Sequence, residues 1–227
     1  MLKEKSIEPH QTKKASGAKP ASRRVYLRKT DVVLIAAERV FLREGFAATS
    51  MDQVAEEAGV SKRTVYTNFG SKEQLFAQVI TRRCAAVVPA ANTLAEAIDQ
   101  SLEGGLMLLA TGFLKGIFDP AQVELYQTVV AAVRRHPEVG RIMYDGPISQ
   151  SHRLFSEYLH AQVERGRLAL PDADLAAAQL IALLKTNIQM QLLFGRPIRL
   201  NAKKIAASAD ASVRLFLYGA LPRSKSA

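Results

Sequence analysis

The chain has 227 residues, of which 48% are hydrophobic and 23% are charged, and this composition excludes a mainly disordered protein. Its formal net charge is +10, and residues 1–83 hold 16 basic and 9 acidic residues, which favours a phosphate-rich partner such as nucleic acid. The single cysteine excludes a disulfide within the chain, and the lack of an apolar leader or of a run of about 18 apolar residues predicts a cytoplasmic protein without a membrane span.

The N-terminal segment is basic and lacks hydrophobic periodicity, so residues 1–26 are predicted to form a disordered arm. Such an arm is either a solvated tail or a segment that follows DNA. From about residue 28 to residue 43, Val33, Ala37 and Val40 recur at helical spacing and predict the first helix. Gly45 is predicted to end that helix.

The stretch from residue 50 to residue 69 is predicted to form two short helices joined by a tight turn. Ser50 and Gln53 have the spacing of a capping box. Gly59 lies where the first helix must stop, and Ser61 suits the N-cap of the second. The second helix would expose a basic, hydroxyl-rich face, which is typical of a helix-turn-helix that enters the DNA major groove. An ordinary helical hairpin is the alternative, but it does not require such a concentrated polar face.

The same region resembles the TetR family of bacterial transcriptional regulators. The resemblance rests on the segments Gly45–Ser50 and Thr64–Phe76, and it covers residues 28–80. Arg63 departs from the family pattern, since many members carry glycine there, and the segment 63–66 is closer to the AefR-like branch. The resemblance implies a repressor with an inducer pocket in its C-terminal domain.

Chemistry and the resemblance together predict where this motif contacts DNA. A helix N-terminus favours a phosphate, arginine and lysine pair with guanine, and a threonine methyl group contacts thymine. The predicted phosphate contacts are Thr49, Ser50, Tyr66 and Lys72, and the predicted base readers are Lys62, Arg63, Thr64 and Thr67. Ser61 and Asn68 complete the predicted DNA-binding set.

Only helical patterns follow the motif. Ser71 and Gln74 indicate a second capping box, from which a fourth helix runs past Cys84 toward Pro89 and links two domains. Further helices are predicted at residues 92–117, 119–135, 146–166, 172–194 and 202–219, with a short segment at 139–144. Asp119, followed by a proline, is the predicted N-cap of the second of these. The predicted fold is all-α with about nine helices, a three-helix DNA-binding domain at residues 27–87 and a ligand-binding and dimerisation bundle at 88–220.

The helix predicted at residues 172–194 is apolar on nearly all sides, which indicates burial on more than one side. A partner chain would provide this, so the last two helices are predicted to form a four-helix dimer interface, with a core helix of a monomer as the alternative. The predicted interface residues are Leu180, Leu183, Leu184, Val213, Phe216 and Leu217. The candidate effector pocket comprises Met107, Phe113, Phe118, Tyr126, Phe155, Tyr158, Met190 and Phe194.

Other chemistry has less support in the sequence. His152 and His160 share a helix, but their spacing does not suit a metal site, so no metal or cofactor is expected. No glycine-rich phosphate loop or framed nucleophile is present, and an enzyme is not predicted. Cys84 is either a redox switch or a small core residue.

The predicted function is a ligand-responsive transcriptional repressor that binds a near-palindromic double-stranded operator as a homodimer. Its small-molecule effector, operator sequence and target genes do not follow from the sequence. Two other classes remain open, namely a sequence-indifferent DNA-coating protein and an enzyme that uses the histidine-bearing helix. Discrimination between operator and random DNA would exclude the first, and metal analysis would test the second.

Overall fold

The computed structural model describes residues 28–85 and 91–218, and in these ranges it contains helices and no strand. The predicted all-α fold is confirmed. The helices are α1 (Lys29–Ala48), α2 (Met51–Ala58), α3 (Lys62–Phe69), α4 (Lys72–Cys84), α5 (Ala91–Asp99), α6 (Leu102–Ile117), α7 (Pro120–Ala132), α8 (Pro137–Met143), α9 (Ser149–Glu164), α10 (Ala173–Leu193) and α11 (Ala202–Tyr218). The predicted N-terminal arm lies outside the described residues, as does the predicted path of the fourth helix toward Pro89. No helix in the described ranges is long and apolar enough to cross a bilayer.

The helix predicted at residues 92–117 is two helices. Ser101 interrupts it, because its hydroxyl accepts the Gly104 N–H at 3.1 Å and caps α6. Gly105 of α6 does not leave space for a ligand, as a Cβ atom there would collide with the Ala97 carbonyl oxygen and with the Tyr158 ring. Gly105 therefore permits α5 and α9 to pack closely against α6.

A helix start was predicted at Gly146–Pro147, but the chain is helical from α8 through α9. A π-helical turn, Tyr144–Ile148, joins the two helices and contains Pro147. Proline has no N–H to donate, and the wider turn accommodates the ring without ending the helix. The Ser151 hydroxyl donates to the Pro147 carbonyl at 2.9 Å, and the Ser149 hydroxyl donates to the Tyr144 carbonyl at 2.8 Å.

The core around the first four helices is organised by three phenylalanines. The ring centroids of Phe41 and Phe76 lie 4.6 Å apart, and those of Phe46 and Phe76 lie 5.1 Å apart. Gly45, with a φ of 78°, turns the chain so that Phe46 returns to this core. Leu125 of α7 belongs to the same buried cluster, so the N-terminal helices share a core with the C-terminal part of the chain.

A second core is formed mainly by α6, α9, α10 and α11. Tyr158 lies fully inside it and donates its hydroxyl to the Leu102 carbonyl at 2.9 Å. Burial raises the pKa of Tyr158 to about 12, so the hydroxyl remains protonated and keeps donating this hydrogen bond at neutral pH.

Arg83, near the end of α4, connects three elements. Its guanidinium lies 3.4 Å from the Glu38 carboxylate of α1 and 2.8 Å from the Asp119 carboxylate. Asp119 also caps α7, accepting the N–H groups of Ala121 and Gln122 at 3.1 and 3.2 Å. The predicted N-cap at Asp119 is therefore present, and it is tied to the DNA-binding end of the chain through α4.

Helix α10 contains a local break that its sequence does not predict. Thr186 has a φ of 44° and a ψ of −156°, while the residues around it are helical. A β-branched residue rarely adopts a positive φ, so this is a strained backbone position. Thr186 is exposed, and its hydroxyl accepts the Ile188 N–H at 3.4 Å. The half of α10 before Thr186 carries the buried residues, and the half after it is more exposed.

Candidate nucleic-acid interface and adjoining cavity

The predicted helix-turn-helix consists of α2, α3 and the turn between them. The Ser50 hydroxyl accepts the Gln53 N–H at 3.2 Å, and the Gln53 side-chain oxygen accepts the Ser50 N–H at 2.8 Å. Gly59 ends α2 in the left-handed conformation, with a φ of 64°. Ser61 then accepts the Thr64 N–H at 3.1 Å and caps α3. Each of these end signals was predicted, and together they fix the angle between the two helices.

The outer face of α3 carries two cations. Lys62 forms an ion pair with Asp52 of α2 at 2.5 Å, and the hydrogen bond with Asp52 raises the pKa of the Lys62 ammonium. Arg63 is exposed, and within the described part of the chain it forms no hydrogen bond or ion pair. Tyr66 is 51% exposed, and Thr67 is exposed on the same helix. Four predicted DNA-binding side chains of α3 thus face solvent.

Three other predicted DNA-binding side chains bond within α3 itself. The hydroxyls of Ser61 and Thr64 lie 2.8 Å apart, and Thr64 is half-buried. Asn68 donates its side-chain amide to the Thr64 carbonyl at 2.7 Å. These contacts stabilise the ends of a helix of only two turns.

Thr49 is the predicted phosphate contact that the structure places inside the protein. Its side chain is buried, and its hydroxyl donates to the Gly45 carbonyl at 2.8 Å. The turn after α1 needs this bond, since the Gly45 carbonyl lies at a helix end. We therefore assign Thr49 to the fold, whereas Ser50 remains exposed at the N-terminus of α2.

Lys72 joins α4 to the end of α1. Its ammonium donates to the carbonyls of Phe46 and Ala47 at 3.0 and 3.3 Å, and it lies 4.6 Å from the centroid of the Phe46 ring. A cation at a helix C-terminus satisfies carbonyls that have no partner in the helix. Lys72 is thus a structural link as well as a positive charge beside the motif.

The capping box predicted at Ser71 is only half formed. Its hydroxyl accepts the Gln74 N–H at 3.2 Å, but its own N–H donates to the Phe69 carbonyl at 2.7 Å rather than to Gln74. Glu73 completes this turn. Hydrogen bonds to its carboxylate from its own backbone N–H and from the Ser71 hydroxyl lower the pKa of Glu73.

A narrow cavity lies behind this junction, among α4, α6, α7, α9 and α10. Its volume is small, about 60 Å³, and it is partly open to solvent. Its lining residues are Cys84, Phe113, Ile117, Gln122, Val123, Tyr126, Met143, Pro147, Ile148, Ser151, His152, Ile181, Lys185, Gln189 and Leu193. The cavity is therefore a slot, bounded mainly by apolar side chains and by the π-helical turn.

The predicted pocket residues are divided between this cavity and other places. Phe113 and Tyr126 line the cavity. Phe155 and Tyr158 fill the second core, and Phe194 is 81% exposed at the end of α10. The rest of the predicted set, which lies outside the lining, is Met107, Phe118 and Met190. Residue type did not distinguish side chains that line the cavity from side chains that fill the core, because both environments are apolar.

The polar groups of the cavity are sparse and incompletely paired. The Gln122 amide donates to the Cys84 sulfur at 3.2 Å, while the other side-chain polar atom of Gln122 is buried without a partner in the described ranges. Burial lowers the pKa of Lys185, and burial together with the charge of Lys185 lowers the pKa of His152. Burial raises the pKa of the Cys84 thiol. Cys84 is thus placed as a protonated core residue, which does not favour the redox-switch alternative.

Sequence reasoning missed Lys185 and Gln122. A signal for Lys185 was available, because it is the only charged residue between Asp174 and Arg196 in an otherwise apolar helix. A charge at the centre of such a helix needs either a partner or a cavity. Gln122 offered no comparable signal, since its burial depends on how α7 packs against α4.

The histidines of α9 do not form a common site. His152 faces the cavity, whereas His160 is exposed and lies 3.2 Å from the Asp174 carboxylate. In residues 28–85 and 91–218, no group of three or more His, Cys, Asp or Glu side chains could hold a metal ion. The geometry gives no support to the enzyme alternative that used these histidines.

Half of the predicted dimer residues lie in the core of the chain itself. Leu180, Leu184 and Val213 are fully buried, so they are not available to a partner. Leu183, Phe216 and Leu217 are partly buried at the edges of these faces. The outward stripes of the two helices carry different residues: Leu175, Ala178 and Ala182 on α10, and Ala207, Ala211 and Leu215 on α11.

Comparison with known families agrees with this geometry. Residues 33–79 match the family described as bacterial regulatory proteins of the tetR family. Residues 104–219, half of the chain, match the C-terminal domain described as that of an AefR-like transcriptional repressor. Both the resemblance to the TetR family and its AefR-like branch are therefore confirmed.

Individual relatives are regulators as well. The chain is 27% identical over 136 residues to the HTH-type transcriptional regulator YhgD of Bacillus subtilis (strain 168), a match that covers 60% of this chain and 67% of YhgD. Several other curated regulators match only over 16% to 25% of their own length.

Solved structures extend the likeness to the whole fold. A TetR-family transcriptional regulator from Mesorhizobium loti MAFF303099 superposes with a TM-score of 0.75 and 29% identity, covering 84% of this chain and 95% of the other. The flavonoid-responsive regulator FrrA superposes with a TM-score of 0.69 and 30% identity, covering 87% of this chain and 99% of FrrA.

Proposed function

The chain belongs to the TetR family of bacterial transcriptional regulators and is a DNA-binding regulator, and we propose that it is a ligand-responsive repressor that binds a near-palindromic operator as a homodimer. The observation that carries the proposal is the capped helix-turn-helix, whose second helix presents Lys62, Arg63, Tyr66 and Thr67 to solvent. The description of the matching C-terminal family as repressors supports the direction of regulation.

The proposed DNA contacts follow from the hydrogen bonds and ion pairs that each side chain forms in the protein without DNA. Arg63 has no competing contact in the described chain, so it is the first candidate for bidentate pairing with a guanine. Lys62 must exchange its ion pair with Asp52 for any contact with DNA. Tyr66 and Ser50 suit phosphate contacts, because both carry hydroxyls on exposed residues and Ser50 lies at the N-terminus of α2.

We propose that the dimer forms through the outward stripes of α10 and α11. Leu175 is 55% exposed and Leu215 is 45% exposed, and small alanines beside them permit close approach of helices. Two such helices from each chain would pack as a four-helix interface. A two-fold dimer places its recognition helices in successive major grooves, which is why a near-palindromic operator is expected.

The cavity is the proposed effector site, and residues 27–87 and 88–220 are the proposed DNA-binding and effector-binding units, preceded by an arm at residues 1–26. Cys84 closes α4 at the wall of the cavity, and Arg83 beside it contacts α1 and the cap of α7. A ligand that favours one arrangement of α4 and α7 would change the spacing of the two recognition helices. That FrrA is named flavonoid-responsive supports an effector role in this group of relatives.

The test is to select the operator from random DNA and to measure its affinity beside that of a scrambled sequence by fluorescence anisotropy. We expect at least about a thousand-fold preference for the selected site and two inverted half-sites. Affinity should also fall by orders of magnitude between about 50 and 200 mM salt, because phosphate contacts release counterions. Equal affinity for the selected and scrambled DNA would instead support a sequence-indifferent coating protein.

A further inference from the structure

The cavity holds a positive charge that the protein does not neutralise. Lys185 lines the slot, is partly buried, and forms no hydrogen bond or ion pair with any residue that the structure describes. The lining includes no aspartate or glutamate. A buried ammonium without a partner is costly, so this arrangement favours a ligand that brings the missing negative charge.

The other ionisable groups of the lining do not supply that charge. His152 is either neutral or positive, and Cys84 and Tyr126 are neutral in their ordinary protonated forms. Burial raises the pKa of Cys84 further, which disfavours a thiolate. The lining therefore offers Lys185 no carboxylate partner.

The remaining walls define the rest of the ligand. Phe113, Ile117, Ile148 and Ile181 give the slot an apolar surface, and its small volume of about 60 Å³ favours a thin ligand. The side-chain amide of Gln122 has one polar atom against the Cys84 sulfur and one without a partner. Rotating the amide by 180° exchanges its oxygen and nitrogen, so one polar atom lacks a partner in either orientation.

We propose that the cavity binds a thin organic monoanion, with its acidic group on Lys185, its apolar body between α6 and α10, and a polar substituent on Gln122. The proposal rests on the effector site proposed above and names its ligand class. Small inorganic anions do not fit it, because they would leave the apolar walls unoccupied. A planar aromatic acid and an unbranched aliphatic acid share the required chemistry, and the experiment separates them.

The experiment is calorimetric titration of the full-length protein without DNA. The aromatic probes are naphthoate, naphthamide and naphthylmethylammonium, and the aliphatic probes are decanoate, decanamide and decylammonium. Within at least one series we expect the carboxylate to bind at least about tenfold more tightly than the amide, as a charge-assisted hydrogen bond would give, and the ammonium not to bind. The series that binds identifies the shape of the natural ligand.

Lys185→Met, which keeps an unbranched side chain, should abolish the preference for the carboxylate over the amide, and Lys185→Arg should retain it. Lys203→Met on the exposed side of α11 is the matched control and should leave the preference unchanged. The proposal is overturned if the amide or the ammonium binds the wild type as tightly as the carboxylate. It is equally overturned if neither carboxylate binds at millimolar concentration, or if Lys185→Met keeps the preference.

A second measurement, of operator affinity with and without the carboxylate, distinguishes this proposal from the proposed function. Binding is measured without operator, so it does not depend on DNA recognition. If the carboxylate binds through Lys185 but leaves operator affinity unchanged, the anion site stands and the effector role fails. If operator binding is specific but no carboxylate binds, the repressor stands and the ligand class fails.

Discussion

Arg63 provides the sharpest test of how α3 reads DNA. The change is Arg63→Ala, and its effect on folding should be small because the side chain is exposed and forms no hydrogen bond or ion pair in the described chain. Surface substitutions of this kind usually change the free energy of unfolding by less than about 0.5 kcal/mol. Any larger effect on operator binding is therefore attributable to a contact with DNA.

The expected loss of binding free energy depends on how many Arg63 side chains contact the operator. One bidentate contact between arginine and guanine discriminates by about 1–3 kcal/mol, and a two-fold dimer makes it twice. The operator should then lose about 2–6 kcal/mol of binding free energy, a factor on the order of 30 to 10⁴ in affinity. Lys62→Ala should lose less, because in the wild type Lys62 first gives up its ion pair with Asp52.

The assay compares wild type and Arg63→Ala against an operator library in which one base pair is changed at a time. Base reading predicts that preference disappears at one position in each half-site and survives elsewhere. Arg199→Ala, an exposed arginine between α10 and α11 and outside the helix-turn-helix, is the control and should leave the profile unchanged. A uniform loss over the whole library, with a salt slope reduced by about 1 per contact, would show that Arg63 grips phosphate and would refute the reasoning.

Three further predictions test the turn, the dimer surface and the start of α4. Gly59→Ala should lower the free energy of unfolding, measured in urea, by about 1–2 kcal/mol, because alanine is strained at a φ of 64°. The control is Gly146→Ala, which has open space around it and should leave this free energy unchanged. Equal stability of Gly59→Ala and wild type would contradict the prediction. Leu215→Glu should convert dimers to folded monomers in sedimentation, whereas Ala206→Glu outside the stripe should not, and an unchanged dimer would count against the interface. Because the pKa of Glu73 is lowered in the folded protein, its carboxylate stabilises the fold above about pH 5, and this stabilisation is lost as pH falls through the folded-state pKa. The Tm difference between wild type and Glu73→Gln should therefore shrink from pH 7 to pH 3. A constant difference would contradict this prediction.

The helix-turn-helix was predictable because its signals are local. Ser50, Gly59 and Ser61 each act within three or four residues of the chain, so their spacing in the sequence already determines the hydrogen bonds that end or begin a helix. The same reasoning correctly identified Asp119 as the cap of α7. It failed at Pro147, where a π-helical turn absorbs the proline and no local rule distinguishes that outcome from a break.

The cavity and the dimer surface depended on contacts that are distant in sequence. Leu180 and Leu175 are both apolar residues of α10, and only the packing of α9 and α11 decides that the first is buried and the second is exposed. Hydrophobic periodicity in the sequence shows which residues share a helix face, but it does not show which element packs against that face. Lys185 shows the opposite case, in which a polar residue in an apolar helix could have indicated the cavity.

The geometry of α4 explains why the cavity is suited to control α3. The helix has 13 residues, about 20 Å in length, and both of its ends are held: Lys72 bonds the carbonyls at the end of α1, and Cys84 contacts Gln122 at the cavity wall. In the proposed mechanism, a displacement at the Cys84 end would reach the recognition helix as a rotation of the three-helix unit.

The shared core would couple such a rotation to α7. Leu125 and Val129 of α7 pack in the same cluster as residues of α1 and α4, so a movement of α7 would be felt by the helix-turn-helix. A ligand in the proposed effector site would contact α7 through Gln122 and Tyr126. To shift the protein from mostly DNA-competent to mostly DNA-incompetent, the ligand must bind one arrangement of α7 about 10⁴-fold more tightly than the other. An apolar slot that contains one unneutralised ammonium favours such discrimination, because a small movement of Lys185 relative to α7 would break the charge contact and the apolar contact together.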